Sequence, residues 1–434
     1  MGRAPDPVQA RAAATAIVSR LREAGHVAYF AGGCVRDELL GMHPTDYDVA
    51  TDAPPQRIKE LFPRTAEVGV AFGVVLVHLH GCSVEVATFR SEGAYSDARR
   101  PDVVHFSDPP TDAARRDFTI NALFLDPLAS KDSATVEGHV VDYVGGLADL
   151  RAGIVRAVGD PDTRLAEDHL RALRAVRFTA RLGFSLDPGT AAAIRRHAME
   201  LRGVSRERIG EEIRRMLTHP TRGAAVELLQ ELGLDAPVLM ETGEAGVHKY
   251  MLARTLHALG PQAEARGVTP WYGTSLAAWA LDRGTQTDPA SVKSLVGSWR
   301  KALMLSNDER DDLNDVLLGF GYLRDQWAGL GVAGQRRAAA QRWFEQALVL
   351  LGAWERGQGR EMVEPSITAR VAELAAQPPG IAPVPLITGD DLVALGLRPG
   401  PRFKEILDRV YDAQLEGRIT TRTAALELAR GLGV

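Results

Sequence analysis

Residues 30–48 constrain the fold of this chain more than any other stretch. They read FAGGCVRDELLGMHPTDYD. Gly32 and Gly33 end a short apolar run and precede a run of helical character at residues 34–40. Glycine lets the backbone approach a ligand closely, and the first N–H groups of a helix favour an anionic phosphate. The pattern predicts a strand, a glycine turn and a helix that together form a phosphate site.

Two carboxylates, Asp46 and Asp48, open the next β-like run. Because side chains two residues apart on a strand share a face, both are expected beside the phosphate site. Mg²⁺ is held in proteins by one or two carboxylates together with substrate phosphates. The pattern therefore indicates Mg²⁺-assisted nucleotidyl transfer. Arg36, three residues after the glycines, is expected to contact a triphosphate, and Asp37 to pair with an arginine.

A third carboxylate usually completes a two-metal site, where it helps to activate the attacking hydroxyl. Glu85 is the candidate, because it lies on a β-like run at residues 84–89 that is predicted beside the first pair. The alternative is a glutamate at a strand edge that pairs only with Arg90. The sequence leaves both interpretations open.

A second cluster, RRDFTINA at residues 115–122, contains Arg116 and Asp117. By itself such a cluster is typical of a helix cap. Next to a phosphate-transfer site, Arg116 is instead expected to contact the triphosphate or the ribose, with Asp117 fixing its orientation.

A third cluster, EDHLRALRAVRF at residues 167–178, has helical periodicity. Asp168 and Arg171 are three residues apart, which predicts neighbours on one helix face. A carboxylate accepts from an exocyclic amine and a guanidinium donates to ring acceptors, so this pair could select C and A without a template. Arg174 and Arg177 drift away from that face and are expected to back the site or contact phosphate. The alternative is a salt-bridged amphipathic helix.

The pattern along the chain predicts an α/β (α+β) head followed by an all-α remainder. Short β-like runs alternate with helical pieces up to residue 149, after which helical periodicity dominates, with expected breaks at residues 183–188, 219–222 and 260–270. The net charge is −5, but residues 151–215 contain fourteen arginines and nine carboxylates. This local positive excess suits a phosphate-facing region in an otherwise acidic protein.

The three clusters, in this order and spacing, resemble the class II tRNA nucleotidyltransferases (CCA-adding enzymes) and their bacterial poly(A) polymerase relatives. The resemblance covers residues 25–218 and includes VSRERIGEE at residues 204–212. It resumes at residues 390–430 with LGLRPGP and QLEGRIT.

This resemblance implies a polymerase-β-like nucleotidyltransferase head at residues 1–150. A helical neck at 151–235, a helical body at 236–377 and a helical, tRNA-binding tail at 378–434 would follow. Asp46 and Asp48 would hold Mg²⁺, the cofactor, while Glu85 stays a candidate catalytic carboxylate on the strand pattern alone. Nucleotide binding would involve the residues already singled out, which are Gly32, Gly33, Arg36, Arg116, Asp117, Asp168, Arg171, Arg174 and Arg177. The expected reaction adds C and A to the 3′ end of tRNA from CTP and ATP and releases pyrophosphate.

Two related activities stay open alternatives. One is the A-adding member of a split CC-/A-adding pair, and the other is poly(A) polymerase. The loop at residues 91–102 looks intact, which argues against a CC-only enzyme. The absence of strongly basic extensions, with a pI near 6.2, argues against poly(A) polymerase. A non-catalytic tRNA-binding protein is a remote alternative, because the chemistry-bearing residues are intact.

The remaining sequence features bear on the cellular location, the partners and a possible second activity. Only two cysteines occur, and no apolar run reaches the roughly 18 residues of a membrane span, so a cytoplasmic protein without membrane or DNA partners is expected. Some members of the family carry a His-Asp phosphohydrolase domain. Here only isolated His248, His257 and Asp282 occupy that region, so no such activity is expected. In the tail, Arg398, Arg402 and Lys404 either contact the RNA backbone or simply begin a basic helix.

Overall fold

The computed structural model describes residues 6–67, 73–92, 104–129, 139–241, 252–397 and 399–433. Most of the loop at residues 91–102 lies outside these ranges, as do His248 and Arg398. The chain divides into two compact units, residues 1–212 with 228–242 and residues 213–227 with 243–434. The predicted division into head, neck, body and tail stays a prediction. Within the described ranges, no helix is both long and apolar enough to cross a membrane.

The first unit contains a mixed sheet. Its strands, together with four strands of two small ribbons, are β1 Ala28–Ala31, β2 Asp48–Thr51, β3 Thr65–Glu67, β4 Val74–Leu79, β5 Cys82–Thr88, β6 Arg90–Glu92, β7 Val104–Phe106, β8 Phe124–Leu125, β9 Val140–Val141, β10 Ile154–Val155 and β11 Ser185–Leu186. Among the described residues seven strands form the main sheet, in the order β3-β4-β5-β2-β1-β8-β9. Strand β2 pairs antiparallel with β1 and parallel with β5, which sets Asp48 opposite Ala31 on one side and Glu85 on the other.

Helices cover this sheet and continue the chain beyond it. They are α1 Pro7–Glu23, α2 Gly33–Leu39, α3 Pro55–Leu61, α4 Pro109–Ala114, α5 Gly146–Ala152, α6 Pro161–Glu167, α7 Arg171–Leu182, α8 Pro188–His197, α9 Arg206–Leu217, α10 Arg222–Glu231 and α11 Asp235–Val238. Helices α9 and α10 each contain residues of both units. Ile17 and Leu21 of α1 and Phe30 and Val49 of the sheet are fully buried. Burial of such apolar side chains is the main source of stability for these elements.

The prediction of one continuous helix over residues 167–178 is wrong for residues 168–170, which interrupt the helix. Helix α6 ends at Glu167, and Asp168 has an extended backbone with φ −152° and ψ 102° before α7 begins at Arg171. The Asp168 side chain accepts a hydrogen bond from Leu170 N at 3.1 Å. Aspartate competes for local backbone N–H groups in this way, which favours a turn over a helix. Asp168 and Arg171 therefore do not share a helix face.

The described residues of the second unit form helices joined by turns and loops, without a β-strand. Its further helices are α12 Arg254–Ala265, α13 Tyr272–Asp282, α14 Pro289–Leu303, α15 Asn307–Asp325, α16 Val332–Ala339, α17 Phe344–Gln358, α18 Glu364–Ala376, α19 Gly389–Ala394, α20 Pro401–Leu415 and α21 Arg422–Gly433. The break expected at residues 260–270 is present but begins later, because α12 continues through Pro261 to Ala265. Leu256, Leu259 and Ala263 of this helix are buried, and that burial outweighs the hydrogen bond lost at proline.

Candidate active site

Segments far apart in the sequence line one open cavity of about 530 Å³ in the first unit. The lining residues are Gly32, Gly33, Arg36, Asp48, Arg90, Arg115, Arg116, Asp117, Asn121, Asp168, Arg171, Arg174 and Phe178. All the residues predicted for the site are among them except Asp46, Glu85 and Arg177. Six arginines face three aspartates in this lining, a balance that suits a polyanionic ligand.

Gly32 forms the turn between β1 and α2. Its φ is +77°, a conformation that L side chains rarely adopt, and a Cβ there would lie 2.8 Å from Arg116 Nη1. Glycine is thus required both by the backbone conformation and by the approach of Arg116. The first N–H groups of α2, which begins at Gly33, are presented at the cavity, as the sequence predicted.

We expect Gly32→Ala to reduce nucleotide incorporation by about 10- to 100-fold, because Arg116 must move to make room for the methyl group. Gly41→Ala is the matched control, since Gly41 also has a positive φ, +73°, but a methyl group there would meet no atom within 4 Å. Comparing kcat/KM of the two variants distinguishes the effect of the close approach to Arg116 from the effect of backbone strain, which both variants share. Equal losses in both variants would contradict the role assigned to the close approach.

The carboxylates predicted to hold metal lie at the start of β2. Asp48 lies in register with Glu85 on the neighbouring strand β5. Solvent reaches the Asp48 side chain, but the surrounding protein displaces much of the bulk water. This burial, with the negative charges of Asp46 and Glu85, raises the pKa of Asp48 to about 7 despite an opposing effect of Arg116. Within the described residues Glu85 makes no salt bridge, so its alternative pairing with Arg90 is not found there.

The chemistry of these three carboxylates fits a hard cation, since mutual repulsion is relieved when a divalent ion binds. In the part of the chain that the structure describes, no group of three or more His, Cys, Asp or Glu side chains encloses a metal position by itself. Mg²⁺ commonly keeps several waters and takes further oxygens from substrate phosphates.

Arg36 is fixed by two neighbours. Its Nη1 donates to Asn121 Oδ1 at 2.5 Å, and its Nε and Nη2 donate to Asp37 Oδ1 at 2.8 and 2.7 Å. The pairing of Asp37 with an arginine agrees with the sequence prediction. Asn121 was not singled out from the sequence. Its side chain also donates to Asp117 at 3.1 Å, so it links two lining segments of the cavity.

Asp112, rather than Asp117, orients Arg116. Asp112 Oδ2 accepts from Arg116 Nε at 3.2 Å and Nη2 at 3.1 Å, and its Oδ1 accepts from Arg115 Nη2 at 2.6 Å. The predicted orientation of Arg116 by Asp117 is therefore wrong, because Asp117 is occupied by Arg174, whose Nε donates to it at 2.8 Å. Burial alone would raise the pKa of Asp112, but the adjacent Arg116 and Arg115 outweigh it and lower that pKa.

We expect Asp112→Asn to destabilise the first unit at pH 7 by about 1–3 kcal/mol, since hydrogen bonds to charged groups contribute on this scale. The folded pKa of Asp112 is lowered, so its stabilisation is present above the unfolded value near 3.9 and is lost as pH falls through the folded value. Calorimetry should therefore show a lower melting temperature for the variant than for the parent protein at pH 7. Below about pH 4 the two melting temperatures should converge. The control is Glu60→Gln, because Glu60 is an exposed carboxylate that pairs with Arg57.

The predicted base-recognition pair is held apart by other partners. Asp168 Oδ2 accepts from Arg208 Nη2 at 2.6 Å, whereas Arg171 Nη1 donates to Glu167 Oε2 at 2.6 Å. Among the described residues the two side chains form no ion pair with each other, although Arg171 N donates to Asp168 O at 3.0 Å. Both line the cavity all the same. Arg208 lies on α9 and was not assigned a role from the sequence. Its only sequence signal was its place in the motif at residues 204–212.

Arg174 and Arg177 have different surroundings. Arg174 lines the cavity, and its Nη2 lies 2.7 Å from Asp117 Oδ2. Arg177 does not line the cavity and is buried, with its Nε donating to Glu212 Oε2 at 2.6 Å. A backing position for Arg177 matches one of the two roles that helical geometry left open.

The aromatic ring of Phe178 lies close to three of these arginines. The guanidinium carbons of Arg36, Arg174 and Arg177 lie 5.1, 5.4 and 4.3 Å from the ring centroid of Phe178. Phe178 also packs edge-on against Phe118 at 5.8 Å. Cation–π attraction at these distances helps to hold like charges close together. Phe178 could not be assigned this role from the sequence, because a phenylalanine at helical spacing is typical of an ordinary core residue.

Asp282 and His257, two of the residues considered for a phosphohydrolase, have structural partners. Asp282 is buried and accepts from the backbone N–H groups of Thr255 and Leu256 at 2.9 and 3.1 Å, so it caps helix α12. His257 Nε2 lies 3.1 Å from Glu227 Oε2. The absence of phosphohydrolase activity stays a prediction.

Comparison with known proteins agrees with this geometry. Residues 28–156 match the family described as poly A polymerase head domain, and residues 183–244 match the probable RNA and SrmB-binding site of polymerase A. A CCA-adding enzyme of Limosilactobacillus fermentum is 33% identical over 418 residues, covering 96% of this chain and 95% of that protein. One from Lactiplantibacillus plantarum is 39% identical over 298 residues, covering 68% of each.

A solved structure extends the likeness to the fold. The crystal structure of a Bacillus stearothermophilus CCA-adding enzyme in complex with CTP matches with a TM-score of 0.75 and 28% identity, covering 98% of both chains. The mixed sheet with its glycine turn and paired carboxylates thus defines a nucleotidyltransferase head followed by helices, and the predicted fold class is confirmed. Within that class, the chain belongs to the CCA-adding enzyme family.

Proposed function

We propose that this protein is a template-independent RNA nucleotidyltransferase that adds C and A to the 3′ end of tRNA from CTP and ATP. The observation that carries the proposal is the cavity itself. It brings the glycine turn, Asp48, Arg116 and the Asp168–Arg171 segment together, although they are far apart in the sequence. A tRNA partner is supported by the match at residues 183–244 and by the names of the relatives.

In this proposal the arginines hold the triphosphate. Arg36 and Arg116 line the cavity beside the glycine turn and are fixed by Asn121 and Asp112, so they meet phosphate oxygens with little loss of side-chain freedom. The N-terminus of α2 adds backbone N–H donors. This arrangement orients the α-phosphate for attack by the 3′-hydroxyl of the RNA, with pyrophosphate leaving.

Asp46 and Asp48 would hold Mg²⁺, and Glu85, in register with Asp48, would assist them. The ion would supply charge neutralisation at the phosphates and a lower pKa for the attacking hydroxyl. The pKa of Asp48 near 7 means that, without a cation, this carboxylate is partly protonated at neutral pH.

Asp168 and Arg171 would read the base. Both are occupied by protein partners, Arg208 and Glu167, so a nucleotide base must replace or share these hydrogen bonds. Cytosine and adenine each present an amine beside a ring acceptor, the pattern that a carboxylate and a guanidinium complement. Arg174 completes the wall, and Arg177 backs it.

The decisive experiment measures incorporation of each labelled nucleoside triphosphate into three tRNA transcripts, which end before CCA, after the first C and after CC. A full CCA-adding enzyme completes all three with CTP and ATP. Addition of a single A only after CC would identify the A-adding half of a split pair. Long A tracts on unrelated RNA would identify a poly(A) polymerase, and no incorporation at all would overturn the proposal. A cytoplasmic location belongs to the same proposal.

A further inference from the structure

Tyr47 lies between the two carboxylates assigned to the metal and differs from both of them in solvent exposure. Tyr47 is buried, with 3% of its surface exposed, whereas Asp46 and Asp48 on either side are exposed. Val49 is buried again. This alternation is that of an extended chain, in which successive side chains point to opposite sides. When the Tyr47 ring points inward, both carboxylates point outward to the same side.

Two neighbours fix the Tyr47 side chain. Its ring packs edge-on against Phe30 with 5.1 Å between the centroids. Its hydroxyl donates to Glu38 Oε1 at 2.5 Å, and Arg11 Nε donates to the same oxygen at 2.7 Å. Burial and the Glu38 carboxylate raise the pKa of Tyr47, so the phenol stays a donor at neutral pH.

Glu38 lies in the last turn of α2, the helix whose first turn forms the phosphate site. The connection from α2 to Asp46 has no other internal anchor, because no residue in the fully described segment 40–46 is buried. The Tyr47–Glu38 hydrogen bond therefore links the metal-binding segment to the last turn of this helix, while Cys34 Sγ in its first turn contacts Asp48 O at 4.0 Å.

We propose that Tyr47, held by Glu38 and Arg11, is a positioning residue that fixes the carboxylate pair relative to the N-terminus of α2. The inference rests on the proposed function, because it assumes that Asp46 and Asp48 bind a divalent ion together with a nucleotide triphosphate. It assigns to Tyr47 no contact with substrate. Its effect is exerted through the direction in which its two neighbours point.

The test is the affinity for Mn²⁺, measured by electron paramagnetic resonance in the presence of a non-reacting α,β-methylene analogue of CTP. Tyr47→Phe keeps the ring on Phe30 and loses only the hydroxyl. We expect its dissociation constant for Mn²⁺ to rise by about tenfold, the usual size for loss of an outer partner of metal ligands. Tyr411→Phe is the matched control, because it too removes a hydroxyl that donates to the protein, to Pro383 O at 3.0 Å.

Changes at Glu38 separate positioning from general stability. Glu38→Gln retains an oxygen that can accept from Tyr47 and should keep Mn²⁺ affinity within about twofold, whereas Glu38→Leu should match Tyr47→Phe. The double variant Tyr47→Phe/Glu38→Leu should lose no more than either single one. A purely structural role would lower melting temperatures in all of these variants without changing the Mn²⁺ affinity.

An unchanged Mn²⁺ affinity in Tyr47→Phe overturns the inference, even where the tRNA assay succeeds. A weakened affinity in Tyr47→Phe and Glu38→Leu, restored in Glu38→Gln, supports it even where the tRNA assay identifies a different transferase. The two proposals therefore fail separately.

Discussion

Asp48→Asn is expected to reduce incorporation of C and A into tRNA on the order of 10³-fold, because it removes a charged oxygen ligand from the proposed Mg²⁺ site while preserving shape. Binding of tRNA should change little, since the carboxylate carries no positive charge that could contact phosphate. Single-turnover incorporation and a filter-binding assay on the same preparation measure the two quantities.

The same variant should be more stable than the parent protein in metal-free buffer. The pKa of Asp48 is raised in the folded state to about 7, whereas an unfolded aspartate titrates near 3.9. Ionised Asp48 therefore costs folding free energy, and stability falls as pH rises from about 4 to about 7. Asparagine avoids this cost. The melting temperature of Asp48→Asn should exceed that of the parent protein at pH 8 and converge with it near pH 4.

Glu60→Gln serves as the control, because Glu60 is an exposed carboxylate on α3 that pairs across the helix surface with Arg57. It should leave both activity and the melting profile unchanged. Full activity of Asp48→Asn would refute the metal assignment. A loss of activity accompanied by a lower melting temperature in metal-free buffer at pH 8 would instead mean that the substitution damages the fold.

The part of the site that could be predicted from the sequence is the part built from neighbours in the chain. Gly32, Arg36 and Asp48 follow from a strand, a turn and a helix within nineteen residues, 30–48, and local spacing determines such geometry. The run at residues 84–89 was predicted beside β2, but its register against β2 could not be read in this way. Register between strands depends on packing of the whole sheet, which places Asp48 opposite Glu85.

Residues that reach the site through tertiary packing gave no local signal. Asn121 contacts Arg36 across 85 positions, and Arg208 contacts Asp168 across 40. Asp112 was missed because Asp117 is nearer to Arg116 in sequence, yet a helical turn separates Asp112 and Arg116 and lets them pair. The break at Asp168 was missed because helical periodicity outweighed the tendency of aspartate to bind the backbone.

Arg336→Met is expected to destabilise the second unit by about 3–5 kcal/mol, a large effect for one side chain. Arg336 on α16 is 2% exposed, and no carboxylate pairs with it among the described residues. Its Nη1 donates to Leu415 O at 2.5 Å, and its Nη2 donates to Leu374 O and Gln377 O, each at 3.1 Å. Leu415 ends α20 and Leu374 lies in the last turn of α18, where carbonyls lack partners within the helix.

One guanidinium thus donates to carbonyls at the C-terminal ends of two helices, whose dipoles oppose the burial that lowers the pKa of Arg336. Methionine fills similar volume but removes the donors to the carbonyl oxygens of the buried residues Leu374 and Leu415, and this loss is the larger part of the expected cost. Arg337→Met is the control from the same helix, because Arg337 is partly exposed and pairs with Asp412 at 2.6 Å, an interaction of at most about 1 kcal/mol. Amide hydrogen exchange should show faster opening of α18 and α20 in Arg336→Met alone. Equal protection in the two variants would mean that other contacts, not Arg336, hold these helix ends.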